Sequence, residues 1–242
     1  MDTSYILGRK PVLEALSLQR GKVEQVLIKK PVPRNLEQVI ETCRKLGIRF
    51  RLVAGAELDK AGRCHQGVAA IIRAVSPVAW EDVLSGTPDS AFPVILALDQ
   101  VQDPGNLGTL ARTMAAFGGS GIVIPKDRSA LPGTGAMKSS AGALARINMV
   151  QVTNMARALD LADEQGFTIY GAVPDQGLSV FDADFSFPAV LVLGGEQKGI
   201  RPNVLKRCQE KIHIPMPGGF DSLNVAQAGA VILGQMLKIA RP

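Results

Sequence analysis

The sequence predicts an α/β protein in two parts: a small basic domain, then a larger one whose parallel sheet carries helices on both faces. Three observations predict it. Strand-like and helix-like segments alternate along the chain, and the strands beyond residue 93 are short, apolar and β-branched, as in sheets buried on both sides. Positive charge is uneven, with 14 Lys and Arg against 7 Asp and Glu in residues 1–75, and 13 against 15 in residues 76–242. Between these parts, Ser76–Pro93 holds three prolines, a glycine and three serines with little periodicity, which reads as a linker. The expected division is 1–75, a linker at 76–92, and 93–242.

In the first part, Pro11–Leu18 has a helical pattern and Val23–Lys29 a strand pattern. Leu36–Leu46 is an amphipathic helix that Gly47 stops, followed by a strand at Ile48–Val53. A short helix over Ala56–Ala61 and a strand over Val68–Val75 complete it. Its basic residues include Lys29, Lys30, Arg34, Arg44, Lys45, Arg49, Arg51 and Arg63, several at strand ends and loops that suit a phosphate backbone. Tyr5 and Phe50 are its only aromatic residues, so recognition by shape and phosphate is favoured over base stacking. Lys29, Lys30, Arg34 and Arg63 are the candidate contacts to such a phosphate backbone.

In the second part, strands are expected at Val94–Leu98, Gly121–Ile124, Met149–Val152, Thr168–Val173, Val190–Leu193 and Lys211–Ile214. Helices are expected at Leu107–Phe117, Met137–Ala145, Met155–Gln165, Pro202–Gln209 and Leu223–Ile239, with a short docked turn at Trp80 and Val83-Leu84. Ligands of such sheets bind beyond the carboxyl ends of the strands.

Several chemistries are excluded. Cys43, Cys64 and Cys208 form an odd set without a CxxC pair, and His65 and His213 are the only histidines, which argues against disulfides and a metal centre. No GxGxxG follows a strand, Met137 breaks the phosphate-loop pattern of Gly133–Ser139, and no serine sits in a GxSxG elbow. Apolar runs are too short for a membrane span and Met1–Lys10 is no signal segment, so a soluble cytoplasmic protein is expected.

Three strand-to-helix junctions remain. In the first, Asp103-Pro104-Gly105-Asn106 opens a helix with Asn106 as its natural cap. Arg112 departs from the apolar stripe of that helix, one turn after Gly108, whose small size leaves room for a ligand or RNA backbone to approach the guanidinium; a solvent-facing arginine after a routine helix cap is the alternative. In the second, an apolar strand runs into Gly194-Gly195-Glu196, with Gly199 allowing another turn. In the third, a Pro/Gly loop after Ile214-Pro215-Met216 leads through Ser222-Leu223-Asn224 into a helix that is apolar nearly all round, as at a subunit interface.

In order and spacing these junctions resemble the motifs of the SpoU/TrmH family of RNA ribose 2′-O-methyltransferases. The matching residues are Asn106-Leu107-Gly108 with Arg112 and Phe117-Gly118, Leu193-Gly194-Gly195-Glu196 with Gly199, and Ile214-Pro215-Met216 with Ser222-Leu223-Asn224-Val225. The first 75 residues resemble the ribosomal-protein-like RNA-binding domain of many members. Gly8 before a helix and His65-Gln66-Gly67-Val68 before a strand are similar to bacterial enzymes that methylate a guanosine of large-subunit rRNA. The resemblance implies a C-terminal trefoil knot, a homodimer joined through knot helices, and S-adenosylmethionine held by Gly194, Gly195, Ile214, Met216 and Leu223. It implies catalytic roles for Asn106, Arg112, Glu196, Ser222 and Asn224, with no metal. Ala226 and Gln227 depart from the pattern, where the family usually has a serine and a small or β-branched residue.

For such chemistry a guanidinium is a poor base, so Arg112 is expected to clamp an RNA phosphate and stabilise the developing alkoxide. Asn106 and Glu196 would orient Arg112 and the ribose, while Ser222 and Asn224 shape the acceptor site. The same chemistry on tRNA, or a non-catalytic RNA-binding protein that assists ribosome assembly, are the alternatives.

Overall fold

A computed structural model describes residues 4–18, 23–72 and 78–240 of the chain. The first part runs β1 (Ser4–Leu7), α1 (Arg9–Leu18), β2 (Val23–Lys29), a 3-10 turn at Arg34–Leu36, α2 (Glu37–Leu46), β3 (Phe50–Val53), α3 (Gly55–Asp59) and β4 (Val68–Ile72). Gly47 ends α2 in the left-handed region at φ 67°, as its position after the apolar stripe predicts. Strand order is β1-β4-β2-β3, with β4 antiparallel to both of its neighbours. The strand β1 is not foreseen by the pattern, because four residues show too little alternation to register. The last part of the strand expected at Val68–Val75, and the expected boundary at 75/76, lie outside the described residues.

The second part continues with α4 (Trp80–Gly86), β5 (Phe92–Asp99), α5 (Pro104–Phe117), β6 (Gly119–Pro125), α6 (Thr134–Ser139), a 3-10 turn at Ala143–Arg146 and β7 (Met149–Val152). Then come α7 (Met155–Glu164), β8 (Thr168–Ala172), β9 (Leu178–Ser179), β10 (Ala189–Gly194), α8 (Pro202–Leu205), β11 (Glu210–His213) and α9 (Val225–Ala240). Seven strands form one sheet in the order β7-β6-β5-β10-β8-β11-β9, and every pairing in it is parallel. Alternate residues face opposite layers. Val94, Leu96, Leu98, Leu191 and Leu193 pack with α5 and α9, whereas Ile95, Ala97, Val190 and Val192 pack with α4, α7 and α8. Within the proline-rich stretch, Trp80 anchors α4 by donating its indole N–H to the Ala158 carbonyl at 2.9 Å.

Three expectations are corrected. The helix expected at Met137–Ala145 breaks after Ser139, because Ala141 and Gly142 adopt φ of 50° and 86°. The helix expected at Pro202–Gln209 is helical only to Leu205. Gly108 opens no space for RNA: it is buried against α6, where an added β-carbon would collide with Ser139 Oγ and the Ala136 carbonyl and stand 2.8 Å from Ser140 N.

The two sheets meet through α6. Edge strand β1 lies against it, Ile6 is buried there, and a β-carbon at Gly142 would stand 3.5 Å from Ile6 Cδ1. Glu14 and Arg146 form an ion pair at 4.0 Å across the same junction.

Gly108→Ala adds a methyl where backbone atoms of α6 leave no room, so it should destabilise the protein by about 1–3 kcal/mol despite alanine's better helix propensity. Urea denaturation of the two proteins measures the difference.

Candidate active site

Parallel pairing of β5 with β10 sets Leu98 beside Leu193 and Asp99 beside Gly194, which brings the first two junctions together at the carboxyl edge. The third arrives from farther off. After β11 the chain returns across the sheet, and α9 packs on α5, with Gly229 so close that a β-carbon there would stand 2.9 Å from Leu193 Cδ1.

Asn224 caps α9: its Oδ1 accepts from the amide of Ala226 at 2.9 Å and that of Gln227 at 3.4 Å. The cap fixes the direction of the hydrogen bonds beside it. With its oxygen occupied, Asn224 donates through Nδ2 to Asn106 Oδ1 at 3.1 Å, and Asn106 donates through Nδ2 to Glu196 Oε1 at 2.6 Å. One residue from each junction thus enters a single hydrogen-bond relay ending on a carboxylate, with the amino ends of α5 and α9 beside it, where helix dipoles favour negative charge. The departure at Ala226-Gln227 costs this relay nothing, since both residues contribute only main-chain N–H groups to it.

Asn106 is free for this role because it does not cap α5. Asp103 does so, accepting from the Asn106 amide at 2.7 Å. The expectation of Asn106 as cap is corrected: both types cap well, and Pro104 at the first helical position favours Asp103.

Arg112 is exposed on α5, and its side chain has no hydrogen-bond or ion-pair partner among the described residues. Ser222 is exposed just before the cap, with no partner among the described residues for its hydroxyl. Gly194 and Gly195 are half-buried and tightly turned. A β-carbon at Gly194 would collide with the Gly199–Ile200 backbone, and one at Gly195 would stand 3.1 Å from the Gln100 carbonyl carbon. Ile214 and Met216 are half-buried and Leu223 is 40% exposed. Among the described residues, the main-chain amides of these three find no acceptor. Half-buried apolar side chains with open main-chain donors suit a ligand that is part apolar base and part polar chain.

Sequence reasoning passes over Asp99 and Arg201. Asp99 ends an apolar strand with its side chain fully buried, and its Oδ1 accepts from Arg201 Nε at 2.8 Å and Nη2 at 2.6 Å. An acidic residue closing the run Val94–Leu98 was the available signal, because a buried carboxylate requires a partner. Cys43 and Cys208 offer no nucleophile: burial pushes their thiols up to about 11 and about 12.

The basic residues of the first part divide between the two ends of its sheet. Strands β1, β2 and β3 end, and β4 begins, at one edge, which gathers Lys29, Lys30, Arg34 and Arg63 together with Arg9 and Lys10. Gln66 ties this end, accepting from the Arg9 amide at 3.2 Å. Arg44, Lys45 and Arg49 lie at the opposite end, with Arg44 over the Phe50 ring at 5.9 Å, and Arg51 pairs with Glu57. The basic residues of the first part therefore form two groups and not one continuous surface.

Known proteins share this architecture. The SpoU rRNA methylase family matches residues 93–234, and the RNA 2′-O ribose methyltransferase substrate-binding family matches residues 5–78. A 23S rRNA (guanosine-2′-O-)-methyltransferase, RlmB, of Xanthomonas axonopodis pv. citri is 39% identical over 98% of this chain and 97% of its own. The AdoMet-bound rRNA methyltransferase of Sinorhizobium meliloti superposes with a TM-score of 0.77 at 25% identity, over 98% of this chain and 87% of that one. A structure concerned with 2-OH methylation of C/U34 on tRNA covers 60% of this chain and 95% of its own, with a TM-score of 0.54 and 28% identity.

Two substitutions separate the functions of Asn224. Asn224→Ala should lose about 1 kcal/mol of stability with the cap, whereas Asn224→Asp keeps an accepting oxygen and should stay within about 0.5 kcal/mol. Thermal unfolding of both variants checks this.

Proposed function

The chain belongs to the SpoU rRNA methylase family of S-adenosylmethionine-dependent RNA methyltransferases, and we propose that it methylates the ribose 2′-hydroxyl of a guanosine in 23S rRNA. The relay from Asn224 through Asn106 to Glu196 carries this reading, because it unites the three junctions in one constellation that starts the helix bearing Arg112, whose side chain has no partner among the described residues. Two further facts favour rRNA. The relative acting on 23S rRNA matches essentially end to end, whereas the structure concerned with tRNA matches only 60% of this chain. We assign RNA binding to residues 1–75, a linker to 76–92 and catalysis to 93–242, with Lys29, Lys30, Arg34 and Arg63 as first contacts to the RNA phosphates.

In this reading Gly194, Gly195, Ile214, Met216 and Leu223 hold S-adenosylmethionine, through main-chain groups and the half-buried apolar side chains. The bound cosubstrate supplies a methyl group on a positively charged sulfur, open to in-line attack. Arg112 holds the RNA phosphate and stabilises negative charge as it develops on the ribose oxygen, whose proton passes to solvent as the O–CH3 bond forms, the S–CH3 bond breaks and the neutral thioether leaves. Glu196, held by Asn106, orients the guanidinium and the ribose, and Ser222 and Asn224 bound the acceptor site. Among the described residues no group of three or more His, Cys, Asp and Glu is placed to hold a metal.

The same reading includes a trefoil knot formed by the return of α9 past the 195–200 loop, a homodimer joined through α9, and a cytoplasmic location. For the dimer, α9 leaves two large apolar side chains uncovered: Val231 is 38% and Ile239 is 36% exposed. No helix among the described residues is long and apolar enough to cross a membrane.

Transfer of labelled methyl from S-adenosylmethionine to purified 23S rRNA and tRNA tests the function. Label at one guanosine 2′-oxygen of rRNA is expected, and label on tRNA alone would overturn the substrate. Arg112→Ala should lower turnover by ~100-fold or more while cosubstrate binding persists; near-normal turnover would sink the role given to Arg112. Val231→Asp should convert a dimer to monomers in sedimentation; an unchanged mass means that α9 is not the interface.

A further inference from the structure

Asp99 is the only charged side chain that is fully buried among the described residues. It does more than meet one guanidinium. Its carbonyl oxygen accepts from the Gly195 amide at 2.9 Å, and its Oδ2 accepts from the Arg201 main-chain amide at 2.8 Å. Both ends of the segment 195–201 are therefore fastened to this single residue at the tip of a central strand. Between the fastenings, Gly199 donates to the Gly195 carbonyl at 2.9 Å and closes the loop on itself. Glu196 is the first residue inside, and its carboxylate is the end of the relay from Asn106.

A buried ion pair is a weak source of stability, and apolar residues of similar size often serve as well. What this pair adds is direction. Arg201 offers three donors in fixed geometry, two from the guanidinium and one from the main chain, so the exit of the loop can take only one path. The burial is one-sided: the Asp99 side chain is fully buried, whereas 41% of the Arg201 side chain is exposed.

We propose that Asp99 and Arg201 are positioning residues: a latch that sets the path of residues 195–200, so that the loop backbone meets S-adenosylmethionine while Glu196 meets Asn106. The proposal rests on the reading that this loop holds the cosubstrate. Neither latch residue touches the reacting atoms. Release of the exit would let the loop shift, weakening both the cosubstrate site and the relay.

The test uses the full-length protein, Arg201→Met and Arg201→Lys. Calorimetry with S-adenosylmethionine, methyl-transfer kinetics on 23S rRNA, and hydrogen exchange of the 194–200 amides are measured for each. Arg201→Met should raise the Kd and KM for S-adenosylmethionine by ~10-fold or more, since small displacements of positioning groups have large effects. The KM for rRNA should stay within about twofold, because the RNA is gripped chiefly by the basic residues of the first part; a substitution that only lowers the folded fraction would reduce the maximal rate and leave both KM values alone. Arg201→Lys, which keeps the charge and loses the fork, should recover part of the loss. Wild-type affinity and KM in both variants would overturn the latch. So would failure of both to fold, because the pair would then be a folding requirement. If Arg201→Met alone fails to fold, Arg201→Lys carries the comparison. Hydrogen exchange separates the two readings. No slowing of the 194–200 amides by S-adenosylmethionine in the wild type means that the loop does not hold it. Equal slowing in wild type and Arg201→Met means that it does, and that the latch is wrong.

Discussion

Everything at the candidate site depends on the pairing of β5 with β10. Because the strands run the same way, their carboxyl ends share one edge, and the register that sets Asp99 beside Gly194 fixes the spacing of the two loops beyond them. One loop becomes the first turn of α5 and delivers Asn106; the other turns back on itself and delivers Glu196. These residues are 90 positions apart in sequence and 2.6 Å apart in space. The hydrophobic faces of both strands hold that register, since a slip by one residue would turn Leu96, Leu98, Leu191 and Leu193 away from α5 and α9.

The third component is placed by a helix end. The first turn of α9 must satisfy its own N–H groups, and Asn224 does this with the oxygen that would otherwise be free to accept from Asn106. Capping chemistry thus dictates which way the hydrogen bonds point, and the carboxylate at the far end receives a donor. A requirement of helix formation and a requirement of the site are met by one side chain.

Much of this was legible in the chain and some was not, for identifiable reasons. Alternating apolar strands and helices declare the parallel sheet, because burial on both faces leaves a strong signature in residues such as Val94–Leu98 and Val190–Leu193. The three junctions stand out because Asn106, Gly194-Gly195-Glu196 and Asn224 fall at strand-to-helix turns on the carboxyl edge, where such sheets bind ligands. Which neighbour does which task was harder. Asp103 and Asn106 are both good caps, and only the helix start at Pro104 decides between them. Gly108 suggests space for a ligand, but the space is taken by α6, whose position the local sequence does not reveal. Arg44 and Arg49 belong with Lys29 by composition but not by topology, since α2 runs back to the other end of the sheet. Asp99 and Arg201, 102 residues apart, are joined only by the fold.

The contact of β1 with α6 ties the first sheet to the second in a particular way. Helix α6 is seated on α5 at Gly108, one turn from Arg112, so the first sheet and the helix that carries the arginine are mounted on the same support. If RNA is gripped at Lys29, Lys30, Arg34 and Arg63, as proposed, the distance from grip to methylated ribose is set by the protein rather than by the RNA. Such an enzyme would choose its nucleotide as a caliper does, by the span between two points on a folded substrate, with little need to read the bases between them.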